Sequence, residues 1–188
     1  MTEEQIRAVT IGELKPSSRP IFLADYDPEW PLQFEREADR IRTALGEAAL
    51  QVEHVGSTSV PGLAVKPVID IVLVVTDSAL EEAYVLALES AGYVLRIREP
   101  DWFKHRMLNR QDTNVNLHVF SRGCAEVDRM LLFRERLRAN ESDRRHYERA
   151  KRELARQDWK YVQNYADAKS PVVEEILARA GSDTSDEL

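Results

Sequence analysis

The stretch from Val68 to Val75 constrains the fold more than any other part of the 188-residue chain. It reads Val-Ile-Asp-Ile-Val-Leu-Val-Val, a nearly continuous run of branched apolar residues. Such a run is typical of a strand covered on both faces, so we expect it at the centre of a sheet. Asp70 interrupts the run, and an ionised carboxylate in apolar surroundings must be paired, hydrogen-bonded or bound to a metal.

The periodicity on either side of this strand predicts helices and further strands. Apolar residues three or four apart form one stripe of a helix over 28–45, which Asp27 can cap. More helices are expected between 78 and 91 and over 125–139, 142–156, 158–168 and 171–180. More strands are expected at 51–55, 93–97, 102–108 and 115–120. The apolar run at 21–24 fits either a first strand or an extended anchor. This order predicts an α+β domain with its helices massed at the C-terminal end.

The length favours one domain, which we place at 20–180, with a sheet part over about 20–124 and a helical part over about 125–180. Residues 1–19 lack convincing periodicity and contain Pro16-Ser17-Ser18, so we expect a loosely ordered lead-in. The polar, acidic residues 181–188 are expected to be a disordered tail.

Composition excludes several classes of protein. The single cysteine, Cys124, excludes an internal disulfide framework and a cysteine-rich zinc site. No apolar run is long enough to span a membrane and the acidic start lacks a signal core, so we expect a cytoplasmic protein without a membrane partner. The net charge of −7 argues against duplex DNA. Residues 121–160 carry 12 Lys/Arg against 8 Asp/Glu, which suits a small phosphate ligand or the solvated faces of ordinary helices.

The segment from Glu53 to Asp70 contains the candidate chemistry. A strand runs into Gly56, crosses the hydroxyl-bearing Ser57-Thr58-Ser59, and returns as the buried strand bearing Asp70. A glycine lets the backbone approach a ligand, and hydroxyls and free N–H groups in such a turn favour an anion. A carboxylate on the adjacent strand would place Mg²⁺ beside that anion. The alternatives are an ordinary turn and a structural salt bridge from Asp70 to Lys66.

The same segment, read as EHVGSTSVPGLAVKPVID, resembles the signature of the GrpB family, a branch of the polymerase-β-like nucleotidyltransferase superfamily. The likeness extends over most of the chain, through motifs at Tyr26–Trp30, Asn116–Val119, Leu132–Arg138 and in the last helices. This resemblance implies a nucleotidyltransferase-like mixed β-sheet flanked by helices, with a C-terminal helical block.

The resemblance also implies a metal site, and this chain departs from its pattern. The superfamily has a Gly-Ser turn, 9 to 13 further residues, then two strand acids one residue apart. Here 12 residues separate Ser57 from Asp70, and Val72 stands where the second acid is required. At most one Mg²⁺ (or Mn²⁺) would then be well held by Asp70 unless Glu53, His118 or, less readily, Glu135 stands in. His118 is a candidate ligand or base, and also a candidate for simple hydrogen bonding at the sheet surface.

Basic residues of the helical block are candidate phosphate ligands. Arg134 and Arg138 are four residues apart and so share a helix face, whereas Arg136 points elsewhere. Guanidinium pairs bind phosphate well, although surface salt bridges with Glu135 and Glu141 would explain these two arginines almost as well. The full set of candidate substrate-binding residues is Gly56, Ser57, Thr58, Ser59, Lys66, Arg134, Arg138 and Lys151.

Three functions remain open at this stage. The first is a nucleotidyltransferase in which Asp70 holds Mg²⁺ and Glu53 or His118 completes the metal or base position, with a nucleoside triphosphate as substrate and an unknown hydroxyl acceptor. The second is a module that binds a nucleotide or another phosphorylated small molecule without chemistry. In that case the likeness to a domain fused to dephospho-coenzyme A kinase suggests a link to coenzyme A metabolism. The third is a structural partner that docks an acidic protein through its arginine helices. The oligomeric state does not follow from the sequence.

Overall fold

The computed structural model describes residues 1–17 and 20–183, and it confirms the α+β prediction. Five strands form one mixed sheet in the order β1-β2-β5-β4-β3. The strands are β1 Gln51–Val55, β2 Ile69–Val75, β3 Val94–Glu99, β4 His105–Arg110 and β5 Val115–Ser121. The central pair, β2 and β5, is parallel, and every other neighbouring pair is antiparallel.

Helices flank the sheet and fill the C-terminal part of the chain. They are α1 Glu3–Val9, α2 Trp30–Leu45, α3 Val85–Ser90, α4 Ala125–Ala139, α5 Glu141–Ala155, α6 Val162–Ala168 and α7 Ser170–Asp183. The predicted C-terminal helical block is therefore present as α4 to α7. None of the helices in residues 1–17 and 20–183 is both long and apolar enough to cross a bilayer.

Strand β2 is an interior strand, second in the sheet beside the central β5, and it is buried on both faces as its apolar run predicted. One face packs on α2, whose stripe from Trp30 to Leu45 contributes to the main core. Leu137, Tyr147 and Ile176 from the helical block belong to the same core, so sheet and helices share it. The other face of β2 carries a second apolar cluster of Val55, Val72, Val74, Phe120 and Val127. Each fully buried aliphatic side chain contributes roughly 1.5–3 kcal/mol, so both faces stabilise the strand.

The first residues are more ordered than the lead-in predicted for 1–19. Helix α1 begins with a capping box formed by Thr2 and Gln5, and its Ile6 is buried. The chain then pairs with β3 through the Thr10–Ile97 bridge. A seven-residue helix with one buried position leaves no periodic signal, so residue spacing does not predict it.

At 21–24 the structure selects one of the two predicted alternatives, and two other expectations differ in detail. The run at 21–24 is an extended anchor that bridges to Val65 at Ala24 and lies outside the sheet. The helix expected between 78 and 91 is a short 3-10 helix, Glu81–Ala83, followed by α3. Of the tail expected over 181–188, the first three residues continue α7, and residues 184–188 lie outside the described part of the chain.

Candidate functional site

Asp70 lies where β2 begins, directly beside the turn that follows β1. Asp70 pairs with Val55 on β1 and with Asn116 on β5, and Gly56 is the next residue after Val55. Gly56 has φ of +68° and ψ of −172°, a conformation that is essentially restricted to glycine. A Cβ at this position would lie 2.4 Å from Asp70 Oδ2. The glycine therefore allows the turn to approach the carboxylate closely.

The two oxygens of the Asp70 carboxylate have different surroundings. Its Oδ1 accepts a hydrogen bond from Asn116 Nδ2 at 3.0 Å and lies 3.7 Å from His118 Nε2. Burial alone would raise the pKa of the Asp70 carboxyl, but the contacts with His118 and Asn116 lower that pKa below its ordinary value. Within residues 1–17 and 20–183 no donor reaches Oδ2, and no salt bridge to Lys66 forms. The carboxylate is thus ionised and 28% exposed, with Oδ2 facing the turn.

Val72, which stands where the nucleotidyltransferase pattern has a second acid, is part of the apolar packing. Strand alternation places Val72 on the same face as Asp70, and Val72 is fully buried in the second apolar cluster. Its partners across the sheet are Glu53 on β1 and His118 on β5. The two polar neighbours of this position are therefore the same residues that the sequence proposed as replacements for the second acid.

Glu53 is committed to an ion pair. It lies on the face of Asp70, two residue pairs along the ladder, and its Oε2 accepts a hydrogen bond from Arg134 Nη1 at 2.9 Å. Arg134 also donates to the carbonyl of His54 at 2.8 Å and to Glu135 at 2.7 Å. Among the described residues, no three His, Cys, Asp or Glu side chains come close enough together to hold a metal ion. Glu53 and Glu135 are thus both paired with Arg134. These ion pairs are an alternative explanation for Arg134, which the sequence predicted as a phosphate ligand.

Three other predicted phosphate ligands stabilise the turn itself. Thr58 is fully buried; its hydroxyl donates to the Val68 carbonyl at 3.0 Å and lies 3.1 Å from His54 Nε2. The Ser59 hydroxyl donates to the Gly56 carbonyl at 2.6 Å. Arg138 donates through Nε and Nη2 to the Ser59 carbonyl at 3.0 and 2.8 Å. These groups hold the turn in shape, and their polar atoms face the protein.

Ser57 of the turn is contacted by Lys151, a buried lysine on α5. Lys151 is 1% exposed, and its Nζ donates to the Ala64 carbonyl at 2.8 Å and to Ser57 Oγ at 3.2 Å. The ammonium also lies 4.8 Å from the centroid of the Tyr147 ring. Burial, and then the charge of Lys169, holds the pKa of Lys151 well below its ordinary range. No carboxylate of the described residues forms a salt bridge with this buried ammonium.

A cluster of three lysines surrounds this end of the turn. The charge of Lys169 acts on Lys66, Lys151 and Asp70 alike, which places the four groups in one region. Burial first and Lys169 second lower the pKa of Lys66, and Asp70 opposes them. Lys66 and Lys169 add positive charge beside this carboxylate, and Lys151 adds a further charge when it is protonated; such charge favours a bound anion.

His105 and Glu99 extend the site along the sheet. Glu99 Oε2 lies 2.7 Å from His105 Nδ1, and His105 Nε2 lies 3.1 Å from His118 Nδ1. Burial lowers the pKa of His105 to about 4, although Glu99 opposes that shift. Together with the His118–Asp70 contact, these groups form a continuous row of four side chains, which we call the Glu99–Asp70 row. The sequence analysis did not identify Glu99, and it left Lys169 ambiguous between a phosphate ligand and a surface lysine; His105 could have been found only from the pairing of β4 with β5.

The fold and this site define a class of protein: an α+β domain in which a Gly-Ser turn meets one strand carboxylate beside a lysine cluster. A family model described as GrpB protein matches residues 20–179. The chain belongs to the GrpB family, as its signature indicated.

Individual relatives agree with this assignment. The UPF0157 protein BH1888 of Halalkalibacterium halodurans is 62% identical over 181 residues, which are 96% of this chain and 93% of that protein. The crystal structure of the conserved protein GrpB from Enterococcus faecalis matches with a TM-score of 0.67 and 29% identity, covering 82% of this chain and 98% of that one. A dephospho-CoA kinase of Mycolicibacterium paratuberculosis is 47% identical over 77 residues, which are 39% of this chain and 19% of that protein.

Proposed function

We propose that this protein is a metal-dependent nucleotidyltransferase that takes a nucleoside triphosphate and transfers its nucleotidyl group to a hydroxyl acceptor. The observation that carries the proposal is an ionised carboxylate and a buried lysine amine at one turn. Asp70 is ionised and its Oδ2 faces the turn. The Lys151 amine is buried without a carboxylate partner among the described residues, so its pKa lies well below the ordinary value and a bound anion would favour its protonation. A polyphosphate with its cation satisfies both, because the phosphates meet the lysines and the cation meets the carboxylate.

The lysine cluster and Ser57 are the groups that would hold the phosphates. The Ser57 hydroxyl receives a hydrogen bond from Lys151, which leaves its own proton free to donate to a phosphate oxygen. Lys66 and Lys169 add charge on the same side. Holding the triphosphate in one orientation supplies much of the rate in phosphoryl chemistry, because little covalent work is asked of the protein.

Asp70 is the group that would hold Mg²⁺ or Mn²⁺. Such ions are commonly bound through one or two carboxylates together with substrate phosphates, so a single open carboxylate oxygen fits one ion. A bound ion would neutralise charge that develops on the phosphates. In the reaction, the acceptor oxygen forms a bond to the α-phosphorus, the bond to the leaving pyrophosphate breaks, and the acceptor proton passes to a base. Because Glu53 is paired with Arg134, His118 is the residue beside Asp70 that can complete the metal or base position.

A binding module without chemistry is the second candidate, and Val72 is the observation that favours it. The second acid is replaced by a side chain packed in an apolar cluster, so two ions cannot be bridged as in a two-metal mechanism. The partial match to a dephospho-CoA kinase suggests a coenzyme A-related ligand for this candidate. Docking through the arginine helix is less favoured, because Arg134 and Arg138 donate to backbone carbonyls of the protein itself.

The test compares wild type with Asp70→Asn. The protein is incubated with α-labelled ATP, Mg²⁺ or Mn²⁺ and pools of small-molecule, protein and RNA acceptors, and melting temperatures are recorded with ATP and with coenzyme A forms. We expect wild type to transfer label and Asp70→Asn to lose transfer while its melting temperature without ligand stays close to that of wild type. The control is Asp128→Asn, an exposed carboxylate on α4. Binding of ATP with metal but no transfer to any pool would favour the binding module, and no ligand-induced shift at all would refute both candidates.

A further inference from the structure

The turn that joins β3 to β4 presents two aromatic side chains to solvent. Trp102 is 42% exposed and Phe103 is 46% exposed. Their ring centroids are 5.5 Å apart and the two ring planes meet at 73°. We call this pair, Trp102 and Phe103, the aromatic corner. A flat ligand can stack on one ring of such a pair while its edge contacts the other, so the corner has the shape of a site for a planar ring.

The backbone beneath the aromatic corner has an unusual conformation. Phe103 and Lys104 have φ of 51° and 52°, a left-handed region that bulky residues seldom adopt. The Lys104 carbonyl accepts two hydrogen bonds that maintain this conformation, from Ser78 Oγ at 2.9 Å and from Arg106 Nη1 at 2.9 Å. Ser78 is fully buried, so the turn is tied to the interior of the domain. Strain that neighbouring groups maintain in this way is typical of ligand clamps and active sites.

The aromatic corner adjoins the Glu99–Asp70 row. The Trp102 ring lies 5.2 Å from the His105 ring, centroid to centroid. His105 in turn lies 3.1 Å from His118, which lies 3.7 Å from Asp70. The strand order places the Ser57 turn and its lysine cluster beside β1 and β2, and the β3–β4 turn on the other side of the sheet. The row therefore runs from the phosphate-binding side of the site to the aromatic corner.

The charges around the aromatic corner do not suit a polyanion. The basic side chains that flank the turn are paired with carboxylates: Lys104 with Asp77, and Arg98 and Arg106 with Glu81. The turn itself adds the acidic Asp101 beside Trp102. A nucleic-acid strand needs basic groups that are available to its phosphates. A ring bound at the corner therefore belongs to a small molecule with little negative charge at that end.

We propose that the aromatic corner binds the hydroxyl acceptor of the reaction, and that this acceptor is a small nucleoside-type molecule whose base stacks on Trp102 and Phe103. The proposal deepens the proposed function, on which it rests, by naming the class of acceptor. The phosphates of the donor occupy the lysine side of Asp70, so an acceptor hydroxyl beside His118 leaves the rest of that molecule directed along the row. The ring of a nucleoside then lies at the corner.

The test measures the binding of adenosine, a nucleoside without phosphate, by calorimetry and by tryptophan fluorescence. Trp30 is buried and Trp159 is half-buried, so stacking on the exposed Trp102 should dominate any change in emission. Titrations are made with and without a triphosphate whose α–β bridge cannot be cleaved. We expect adenosine to bind and quench the emission in both cases, and ribose, which lacks the base, to do neither.

Substitutions at the aromatic corner should separate the acceptor from the donor. Stacking on one ring is worth about 1–3 kcal/mol, so Trp102→Ala should weaken adenosine binding about 10-fold or more and change ATP binding less than about 2-fold. Trp102→Phe keeps a ring, and its adenosine affinity should stay within about 3-fold of wild type. The control is Phe22→Ala, which removes a 70% exposed ring from the extended anchor and should bind adenosine like wild type. Melting curves establish that each variant is folded.

The outcomes distinguish this proposal from the proposed function. Equal losses of ATP and adenosine affinity in Trp102→Ala would assign the corner to the base of the donor and overturn the proposal. Absence of adenosine binding, or binding of an oligoadenylate at least 10-fold more tightly than adenosine, would also overturn it. Label transfer that is unchanged in Trp102→Ala would keep the nucleotidyltransferase and remove the corner from the acceptor site. Adenosine binding that depends on Trp102, in a protein that transfers no label, would support a nucleoside site at the corner and refute the nucleotidyltransferase.

Discussion

Replacing Gly56 by alanine tests whether the turn and the carboxylate are built as one unit. The glycine has φ of +68° and ψ of −172°, and this region costs other residues about 1–3 kcal/mol. The new Cβ would also lie 2.4 Å from Asp70 Oδ2 and 2.9 Å from Asp70 Cβ, so the aspartate must move. Forcing an extra carbon into a packed site adds about 1–3 kcal/mol. We expect Gly56→Ala to lower the free energy of unfolding by about 4 kcal/mol.

Gly62→Ala is the matched control for backbone strain. Gly62 also has a positive φ, +76°, but a Cβ there would meet nothing within 4 Å. Its cost should therefore be the strain alone, about 1–2 kcal/mol. The difference between the two variants, about 2–3 kcal/mol, measures the contact with Asp70.

Urea unfolding followed by tryptophan fluorescence gives both free energies, and the same samples are tested for the melting-temperature shift caused by Mn²⁺. Gly56→Ala should lose that shift because Asp70 is displaced, and Gly62→Ala should keep it. If the two variants agree within about 0.5 kcal/mol, or if Gly56→Ala binds Mn²⁺ like wild type, the close approach of turn and carboxylate does not shape the site.

Three further predictions concern stability and ligand binding. Burial lowers the pKa of His54 to about 4, so only the unfolded chain takes up its proton between pH 6.5 and 4, and stability falls as the pH drops through that window. Between pH 7 and 4 the free energy of unfolding of His54→Gln, measured by urea titration, should fall by about 3 kcal/mol less than that of wild type. Parallel plots of unfolding free energy against pH for the two proteins would contradict this. Asp143, buried between Arg136 and Arg179, joins α4, α5 and α7, and Asp143→Ala should cost about 3 kcal/mol in thermal unfolding; a cost near zero would show that the bridge is dispensable. Lys151→Met should weaken binding of ATP with metal at least 10-fold by calorimetry while changing stability by less than about 1 kcal/mol, and unchanged ATP affinity would remove Lys151 from the phosphate site.

The elements with a strong local signal are those that the sequence predicted well. The apolar run of β2 and the apolar stripe of α2 both lie in the core. They could be predicted because a buried face requires apolar residues at regular spacing. Helix α1 was missed because its stability comes from contact with β3, in particular the Ile11 N–H bond to the Arg96 carbonyl. That contact depends on the tertiary fold and leaves no trace in the spacing of residues 3–9.

The sequence predicted which segments form the candidate site, but it did not predict the hydrogen-bond and ion-pair partners of the individual side chains. The approach of the turn to Asp70 at Gly56 followed from a strand–turn–strand pattern. The roles of Thr58 and Arg138 did not, because both donate to backbone carbonyls, and a carbonyl is present at every position of the sequence. The pairing of Glu53 with Arg134 spans 81 residues, and only the packing of α4 on β1 reveals it.

The parallel pairing of β2 with β5 has a consequence for when the site comes into existence. β1 pairs with β2, and β4 with β5, as antiparallel neighbours close in the chain, whereas β2 and β5 are separated by residues 76–114. Closing so long a loop is slow relative to local pairing. Asp70 comes from one of these strands, and Asn116 and His118 come from the other. A metal ion that contacts both strands would therefore bind only to molecules in which β2 and β5 have already paired. Its binding would stabilise that pairing.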